Sequence, residues 1–341
     1  MAVRALWFSH GTLHLIDQRL LPNRQVTRHL RHVREVAGAI RTMVVRGAPA
    51  IGAAAAYGMV LARNEGKYTP ERAAKLLRAT RPTAHDLFVG IETVRAAWAA
   101  GRDPLAAAHR YRRAIVEECH QIGIAGAPLF AKAHRVLTHC NAGALATVEW
   151  GTALAPIRVA RARGADLFVW VDETRPLLQG SRLTAWELVR EKIPHAVIVD
   201  NAAGPFMRTG QVDAVIVGAD RIARNGDFAN KVGTYEKAVV ARENRIPFYV
   251  AAPWSTFDVL CRDGRSIPVE ERSEAEVLEL SGRRLAPKSS RARNPAFDVT
   301  PARYVTAFVT PGGVVRPKDL AAMLGQRAVR SAAAARRRLT E

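Results

Sequence analysis

Short apolar runs alternate with helical stretches through the second part of the chain, and this alternation constrains the fold more than any other feature. Each run is bounded by polar turn residues and has the composition of a strand that is buried on both faces. Strands that alternate with helices form βαβ units, whose right-handed crossovers build a parallel, doubly wound sheet. The pattern predicts six strands, at residues 135–138, 167–171, 196–199, 214–217, 248–251 and 304–310.

The first 125 residues have a different pattern, in which apolar side chains recur mainly at helical spacing. Residues 33–45 are the clearest such helix, whereas residues 1–32 have the pattern of a β-meander. The chain is therefore predicted to be an α/β protein of two domains. Residues 1–125 would form a mainly helical N-terminal domain with a small β-sheet that contributes anion-binding loops. Residues 126–341 would form a Rossmann-like, doubly wound parallel-sheet domain with a basic C-terminal tail.

The chain is strongly basic, with a net charge of +20 from 51 Lys and Arg against 31 Asp and Glu. Such a balance favours nucleic acid, an anionic surface or a small anionic substrate as partner. We find no basic run interleaved with aromatic residues, no zinc knuckle and no helix-turn-helix signature. Acidic and basic residues alternate over most of the predicted helices. The sequence therefore predicts a small-molecule substrate and no nucleic acid.

Membrane and secreted classes are disfavoured by two further features. No apolar run approaches the roughly 18 residues of a membrane span, and the N-terminus is too polar for a signal peptide. The three cysteines, Cys119, Cys140 and Cys261, include no CxxC pair, which is typical of a reducing cytoplasm rather than of a disulfide framework. We therefore predict a cytoplasmic protein with no membrane partner.

Two turns in the N-terminal part have the features of anion sites. Arg46, Gly47, Ala48 and Pro49 lie where one predicted helix ends and the next begins. Pro49 suits the first helical turn, Gly47 permits close approach of the backbone to a ligand, and the free N–H groups of a helix start attract anions. Arg81 precedes a proline and another helix start in the same manner. The alternative is an ordinary connection between helices with a surface arginine.

Polar residues follow the predicted strands at the edge where an open α/β sheet binds its ligand. The thiol of Cys140 follows the first strand, and the carboxyl of Asp220 follows the fourth. The segment after the second strand carries Gln179, and Asn230 and Lys231 are predicted to open a helix after the Asp220 turn. Together with the two arginine turns, these residues have the character of a sugar-phosphate site.

Cys140 and Asp220 each have a simpler interpretation. A helix start after Cys140 would lower the thiol pKa, whereas apolar burial would raise it, and the sequence does not decide between them. A lone cysteine at a strand end is often a small buried apolar residue, and Asp220 could cap the following turn. Their common position at the ligand edge of the sheet favours a functional role for both.

Cofactor chemistry is not indicated. The turn after the first strand has one glycine, Gly143, where a dinucleotide-binding turn has three, and no Walker pattern occurs. No His, Cys or Asp cluster has the spacing of metal ligands. The sequence therefore predicts a site without cofactor and without metal.

Six motifs give the chain a specific resemblance. They are IRTMVVRGAPAIG (40–52), RPTAHDL (81–87), THCNAGALAT (138–147), ETRPLLQGSRLTAWEL (173–188), VGADRIARNGDFANKVGTY (217–235) and NPAFDVTP (294–301). With them the sequence resembles the methylthioribose-1-phosphate isomerase family of methionine salvage, from residue 15 to the final predicted helix. Ser181 replaces a common alanine, a departure that touches none of the candidate site residues.

The resemblance implies isomerisation of 5-methylthioribose 1-phosphate to 5-methylthioribulose 1-phosphate by a homodimer. It implies that Cys140 and Asp220 are the catalytic pair. Substrate binding would fall to the residues that match the family motifs, namely Arg46, Gly47, Ala48, Arg81, Gln179, Asn230 and Lys231. Asp220 would be the acid that opens the sugar ring, and Cys140 would either carry a proton through an enolate or shape a dry pocket for a hydride shift.

Two alternatives share the implied fold. One is an isomerase of ribose 1,5-bisphosphate or 5-deoxyribose 1-phosphate, which would differ at the C5 end of its substrate. The other is a non-enzymatic relative of the regulatory subunits of the translation-initiation guanine-nucleotide exchange factor. Such subunits would have no reason to keep an acid and a thiol at the strand ends.

Overall fold

The computed structural model describes residues 3–280 and 282–326. It begins with the predicted meander, which is confirmed as an antiparallel sheet of β1 (Leu6–Ser9), β2 (Thr12–Ile16) and β3 (Thr27–Leu30). Five helices follow: α1 (Val33–Arg41), α2 (Ala48–Asn64), α3 (Pro70–Arg78), α4 (His85–Ala99) and α5 (Pro104–Gly126). The domain boundary near residue 125 stays a prediction.

Helix α2 is the centre of this helical part, because fifteen of its residues are buried on all sides. Helix α4 packs directly on it through two glycines. A Cβ atom on Gly90 would lie 2.3 Å from the carbonyl oxygen of Gly52, so the two helix backbones are in contact at this point. Side chains at either position would separate the helices and displace the turns at their N-termini.

The second part contains a seven-stranded sheet with its connecting helices. In chain order the elements are β4 (Arg135–His139), α6 (Leu154–Ala162), β5 (Phe168–Asp172), α7 (Ala185–Arg190), β6 (His195–Ile198), α8 (Ala203–Arg208), β7 (Ala214–Val217), β8 (Arg221–Ala223), β9 (Phe228–Lys231), α9 (Thr234–Glu243), β10 (Phe248–Ala251), β11 (Phe257–Asp258), α10 (Ala275–Leu278), β12 (Glu279–Leu280), β13 (Arg283–Arg284), β14 (Phe297–Thr300), β15 (Ala307–Thr310) and β16 (Gly313–Val315).

The strand order of the large sheet is β16-β15-β10-β7-β4-β5-β6. All six predicted strands are confirmed, and each pairs in parallel with its neighbours. Only β16 is antiparallel, as the hairpin partner of β15, and it was not predicted. Alternate residues of β7 enter different cores, with Val215 on one face of the sheet and Ile216 on the other. Burial on both faces explains why each strand reads as an apolar run.

Two sequence expectations were wrong, namely a helix start at Asn230 and Lys231 and a helix start directly after Cys140. Asn230 and Lys231 do not open a helix, because they belong to β9 of a second sheet of order β11-β8-β9-β14. Strand β14 pairs antiparallel with β9, and helix α9 begins only at Thr234. Residues 262–300 contain α10 and three short strands. No α-helix begins at residue 141, since α6 starts at Leu154.

The C-terminal end of the described chain is helical over residues 317–326, as predicted. The predicted basic tail after residue 330 lies outside the described residues. No helix among residues 3–280 and 282–326 is long and apolar enough to cross a membrane.

Candidate active site

One cavity brings together all nine residues that the sequence analysis singled out. It is lined by Arg46, Gly47, Ala48, Arg81, Cys140, Gln179, Asp220, Asn230 and Lys231, among others. The thiol and the carboxyl reach it by topology. Cys140 follows β4 and Asp220 follows β7, and these two strands are neighbours in the sheet. The strand order reverses at this pair, which is where an open α/β sheet leaves its ligand crevice.

The Cys140 thiol is buried and protonated. Only 4% of the residue is exposed, and its Sγ donates a hydrogen bond to Oε1 of Gln179 at 3.0 Å. Burial raises the pKa of the thiol above its ordinary value, despite the nearby positive charges of Arg46 and Lys231. The helix start that could have lowered it is absent, because Cys140 has a left-handed backbone conformation and a 3₁₀ turn at Ala144–Ala146 follows.

The Asp220 carboxyl lies among three cations. Burial raises its pKa, and the positive charges of Arg81, Lys231 and Arg46 oppose that effect without cancelling it. Its backbone N–H donates to the carbonyl of Ala229 at 2.9 Å. Within the described part of the chain, the carboxylate accepts no hydrogen bond from the following turn, so a capping role has no support. A carboxyl in this environment is suited to donate a proton.

Two of the cations keep capacity for a ligand. Arg81 is 5% exposed and pairs through Nε with Glu270 at 2.9 Å, while its buried Nη1 has no partner among the described residues. Lys231 donates from Nζ to the carbonyl of Ala296 at 2.8 Å, which leaves two of its three protons. Both side chains lie over the ring of Phe297, with Lys231 Nζ 4.9 Å from the ring centre. An anion between them would satisfy donors that the protein leaves open.

Arg46 has a different role, because its guanidinium is already held by the protein. Its Nη1 donates to Oδ1 of Asn141 at 2.5 Å, and its Nη2 donates to the carbonyl of the same residue at 2.7 Å. Asn141 in turn donates to the buried carboxylate of Glu187 at 2.9 Å. Glu187 also accepts from the backbone N–H groups of Ala144 and Leu145. This chain of contacts fixes the loop after Cys140 against the arginine turn.

Gly47 caps the N-terminus of α2 beside that loop. Its φ of 91° is a left-handed value, and a Cβ atom there would lie 2.4 Å from the carbonyl oxygen of Ala146. Only glycine meets both conditions. The first N–H groups of α2 have no partner inside the helix, and Ala48 brings them to the cavity wall. The helix start therefore adds a partial positive charge to the site.

The loop that carries Gln179 is held by a second buried carboxylate. Glu173 accepts hydrogen bonds from the backbone N–H groups of Gly180 and Ser181, each at 2.9 Å. These bonds fix the turn on which Gln179 lies, and so the acceptor of the Cys140 thiol. Glu173 and Glu187 are positioning residues that were not predicted from the sequence. Their signal was available, because both are acids inside the motif at 173–188 at positions where apolar neighbours predict burial.

A buried carboxyl in the first turn of helix α4 holds the helix, and the turn that bears Arg81 before it, against the sheet. Asp86, which is fully buried, accepts hydrogen bonds from the hydroxyls of Ser255 and Thr256 at 2.5 and 2.9 Å. The backbone N–H of the preceding residue, His85, donates to the carbonyl of Asp220 at 3.2 Å. The N-terminus of α4 is thereby fixed against the strand ends, and Arg81 is placed opposite Asp220.

His139 lines the cavity and pairs with the buried carboxylate of Asp172. Nδ1 of His139 lies 2.5 Å from Oδ2 of Asp172, and Nε2 of His139 donates to the carbonyl of Val232 at 2.9 Å. This pair ties the ends of β4 and β5 to the segment that follows Lys231. In the part of the chain that the structure describes, no three His, Cys, Asp or Glu side chains gather as metal ligands.

Curated relatives match this chain over nearly its whole length. Methylthioribose-1-phosphate isomerase of Roseiflexus sp. (strain RS-1) is 50% identical over 338 residues, which cover 93% of this chain and 95% of the relative. The enzyme of the same name from Aquifex aeolicus is 48% identical, covering 94% of this chain and 70% of the relative.

Solved structures agree with these matches. 5-Methylthioribose 1-phosphate isomerase from Pyrococcus horikoshii OT3 is 43% identical, with a TM-score of 0.84 over 95% of each chain. A structure described as subunit delta of the translation initiation factor eIF-2B from A. fulgidus is 44% identical, with a TM-score of 0.80 over 93% of this chain and 97% of that one. The model of the initiation factor 2 subunit family matches residues 44–317. The chain therefore belongs to the initiation factor 2 subunit family, and it is similar over nearly its full length to the methylthioribose-1-phosphate isomerases.

Proposed function

We propose that this protein is an aldose–ketose isomerase that converts 5-methylthioribose 1-phosphate to 5-methylthioribulose 1-phosphate in methionine salvage. The observation that carries the proposal is the meeting of the Cys140 thiol and the Asp220 carboxyl in one cavity that Arg46, Arg81 and Lys231 also line. The relatives that bear this enzyme's name support it, since they cover most of the chain at about half identity.

The substrate phosphate would bind between Arg81, Lys231 and the start of α2. These groups offer the open donors of the cavity, namely a buried guanidinium N–H, ammonium protons and helix N–H groups. A phosphate dianion is best held by such charge-assisted hydrogen bonds. Asn230 and Gln179 would bind sugar hydroxyls, because their amides line the same wall.

Asp220 would supply the proton that opens the ring. The anomeric carbon carries the phosphate, so the ring cannot open to a free aldehyde, and the bond from C1 to the ring oxygen has to break with protonation of that oxygen. A carboxyl whose pKa is raised by burial holds a proton closer to neutral pH than an exposed one does. The cations beside it would stabilise the carboxylate left behind.

The hydrogen transfer then moves one hydrogen from C2 to C1, while the C2 hydroxyl loses a proton to become the ketone. The proton gained by the ring oxygen balances the proton lost by the hydroxyl, so Asp220 can return to its starting state. Two routes were open: proton transfer through an enolate, with Cys140 as base, or direct hydride shift. The raised pKa and the hydrogen bond from Sγ to Gln179 favour the hydride shift, because a protonated thiol is not a base.

A product assay on synthetic methylthioribose 1-phosphate tests the proposal, without added metal or nucleotide. We expect the ketose 1-phosphate to accumulate to an equilibrium mixture. Complete inactivity on every pentose 1-phosphate, together with tight binding to a translation initiation factor, would overturn it. That result would favour the regulatory-subunit alternative, for which the A. fulgidus structure is the relevant relative.

We also propose that the protein acts as a cytoplasmic homodimer. All three cysteines are free and buried, as suits a reducing compartment. Strand β6 lies at the edge of the large sheet, and Val197 within it and Val199 directly after it are 44% and 69% exposed, which suits an edge that a second subunit covers. Sedimentation equilibrium tests this, since a species of 37.3 kDa alone would contradict a dimer.

A further inference from the structure

The buried imidazole of His139 faces a hydrogen-bond acceptor with each of its two ring nitrogens. Nδ1 lies 2.5 Å from Oδ2 of Asp172, and Nε2 lies 2.9 Å from the carbonyl oxygen of Val232. A carbonyl oxygen has no proton to give, so Nε2 has to carry one and donate it. The contact with the carboxyl requires a second proton between Nδ1 and Oδ2. The pair of side chains therefore holds one proton more than a neutral imidazole beside a carboxylate.

A neighbouring ammonium group favours the imidazole as the place of that proton. Nζ of Lys237 lies 3.5 Å from the same Oδ2 of Asp172, and its positive charge stabilises the ionised carboxylate. Burial raises the pKa of Asp172, and the hydrogen bond from His139 and the charge of Lys237 oppose that effect. All three side chains are buried, so a charge on any of them needs a partner within the group. An imidazolium on His139 gives Asp172 that partner.

Asp298 supplies a second negative charge to this buried group. Its carboxylate accepts hydrogen bonds from two backbone N–H groups at the start of α9, at 2.6 and 3.2 Å. Burial raises its pKa to about 6, and the positive charges of His139 and Lys237 act against burial. At neutral pH the two carboxylates of Asp172 and Asp298 therefore balance an imidazolium and an ammonium. A neutral imidazole would leave one buried negative charge without a counterpart.

The carbonyl that His139 holds belongs to Val232, directly after the two residues Asn230 and Lys231 that line the cavity. The hydroxyl of Thr174 donates to the same oxygen at 3.2 Å, so two side chains from neighbouring strand ends fix it. Lys231 keeps two ammonium protons for a ligand, and their direction depends on the backbone that follows. The histidine therefore fixes the turn that aims Lys231 into the cavity.

We propose that His139 is a positioning residue, held as an imidazolium by Asp172, which keeps Lys231 in place for the substrate phosphate. The inference rests on the proposed isomerase function and adds a pH dependence to substrate binding. When the imidazolium loses a proton, Nδ1 keeps the one that the carboxylate holds. The bare Nε2 then faces the carbonyl oxygen of Val232, acceptor against acceptor, and the turn is released.

The surroundings of the ring determine how this pH dependence is set. The titratable groups placed around it are Asp172 on β5, Lys237 on α9 and Asp298 on β14, with Cys140 and Lys231 on the cavity side. The two carboxylates favour the imidazolium, and the ammonium groups disfavour it. Removal of the Asp172 charge should therefore make the imidazolium lose its proton at a lower pH.

Nuclear magnetic resonance of protein labelled with nitrogen-15 in its histidines tests the protonation state without reference to activity. Both ring nitrogens of His139 are expected to carry protons at neutral pH. The signals are assigned through their absence from His139→Gln. A His139 nitrogen that carries no proton at neutral pH would overturn the inference.

Two amide variants separate the two contacts of the ring. In His139→Gln the amide nitrogen takes the place of Nε2 and still reaches Val232, whereas in His139→Asn it takes the place of Nδ1 and leaves the carbonyl without this donor. We expect His139→Asn to raise KM about tenfold with a smaller change in kcat, and His139→Gln to restore most of the loss. His134→Asn is the matched control, because His134 is exposed, lies directly before β4 and is not part of the cavity wall. Equal KM values for His139→Asn and His134→Asn would contradict the positioning role.

Asp172→Asn tests the carboxylate through the pH profile of KM. The amide accepts the hydrogen bond from Nδ1 but does not stabilise the imidazolium, so KM is expected to rise at a lower pH than in the wild type. A rise in KM by the same factor at every pH is the result of a purely structural role and would refute the inference. Failure of the wild type to turn over any pentose 1-phosphate is a different result. It refutes the proposed isomerase function and the positioning role with it, while the resonance measurement still decides the state of His139.

Discussion

The stability of this protein should fall as pH rises from 4 to 8, and Asp86 should account for much of the fall. The carboxyl is fully buried, and burial raises its pKa from the ordinary 3.8 to about 7, despite hydrogen bonds from Ser255 and Thr256 that favour the ionised form. In the unfolded chain it ionises near 3.8. Between the pKa of the unfolded chain and that of the folded protein, the folded protein holds a proton that the unfolded chain has lost. Each unit by which the pH rises in this interval therefore lowers the free energy of unfolding.

The magnitude follows from the two pKa values. The interval from 3.8 to about 7 corresponds to about 4 kcal/mol at 1.36 kcal/mol per pH unit. The stabilisation is fully present below pH 3.8 and is lost once the pH has passed the folded value. Since native proteins are stable by about 5–15 kcal/mol, a change of this order is readily measured.

Urea denaturation of the wild type and of Asp86→Asn across this pH range is the assay. The amide keeps the shape and one acceptor but does not ionise, so we expect the difference between the two proteins to change by about 4 kcal/mol in favour of Asn as the pH rises. Asp298, whose pKa burial raises to about 6, adds a similar slope to both proteins and cancels in the comparison. Parallel profiles for wild type and Asp86→Asn would refute the reasoning, because the slope would then arise elsewhere.

Three further predictions concern the candidate active site. Asp220→Asn is expected to lower kcat about 100- to 10,000-fold, which is the usual contribution of a general acid. Full turnover by this variant would contradict the acid role. Asp319→Asn, which alters an exposed ion pair, is the control, and its kcat should equal that of the wild type. Arg81→Ala is expected to raise KM roughly 10- to 100-fold through loss of a buried charged donor, measured by steady-state kinetics, and an unchanged KM would place the phosphate elsewhere. Deuterium at C2 of the substrate is expected at C1 of the product by NMR, because the Cys140 thiol is protonated; its loss to water would establish the enolate route.

The sequence predicted the place of a site residue wherever that place depends on the residue's position after a strand. Cys140 and Asp220 could be placed in one crevice because each follows an apolar run, and parallel strands expose their carboxyl ends on one side. Their adjacency depends on the pairing of β4 with β7, and the doubly wound strand order places the first and fourth strands side by side. Arg46 and Arg81 were found through local signals, a glycine or proline beside a helix start.

Non-local contacts account for what could not be predicted. Asn230 and Lys231 read as a helix start because the helical pattern follows at once, and nothing near them signals pairing with a strand at residues 297–300. The state of the Cys140 thiol depends on burial and on Gln179, 39 positions away. Glu173 and Glu187 could have been singled out as acids inside a motif, but the backbone N–H groups from which they accept hydrogen bonds carry no side-chain signature in a sequence.

The contact at Gly47 has a consequence for how the active-site rim can change over time. The turn that bears Arg46 and the loop that follows Cys140 touch backbone to backbone, and a single methyl group between them would displace the carbonyl of Ala146. A substitution that shifts one loop therefore requires a compensating substitution in the other, although nearly a hundred positions separate the two loops in the polypeptide. The turn that bears Arg46 and the loop that follows Cys140 can therefore change only together.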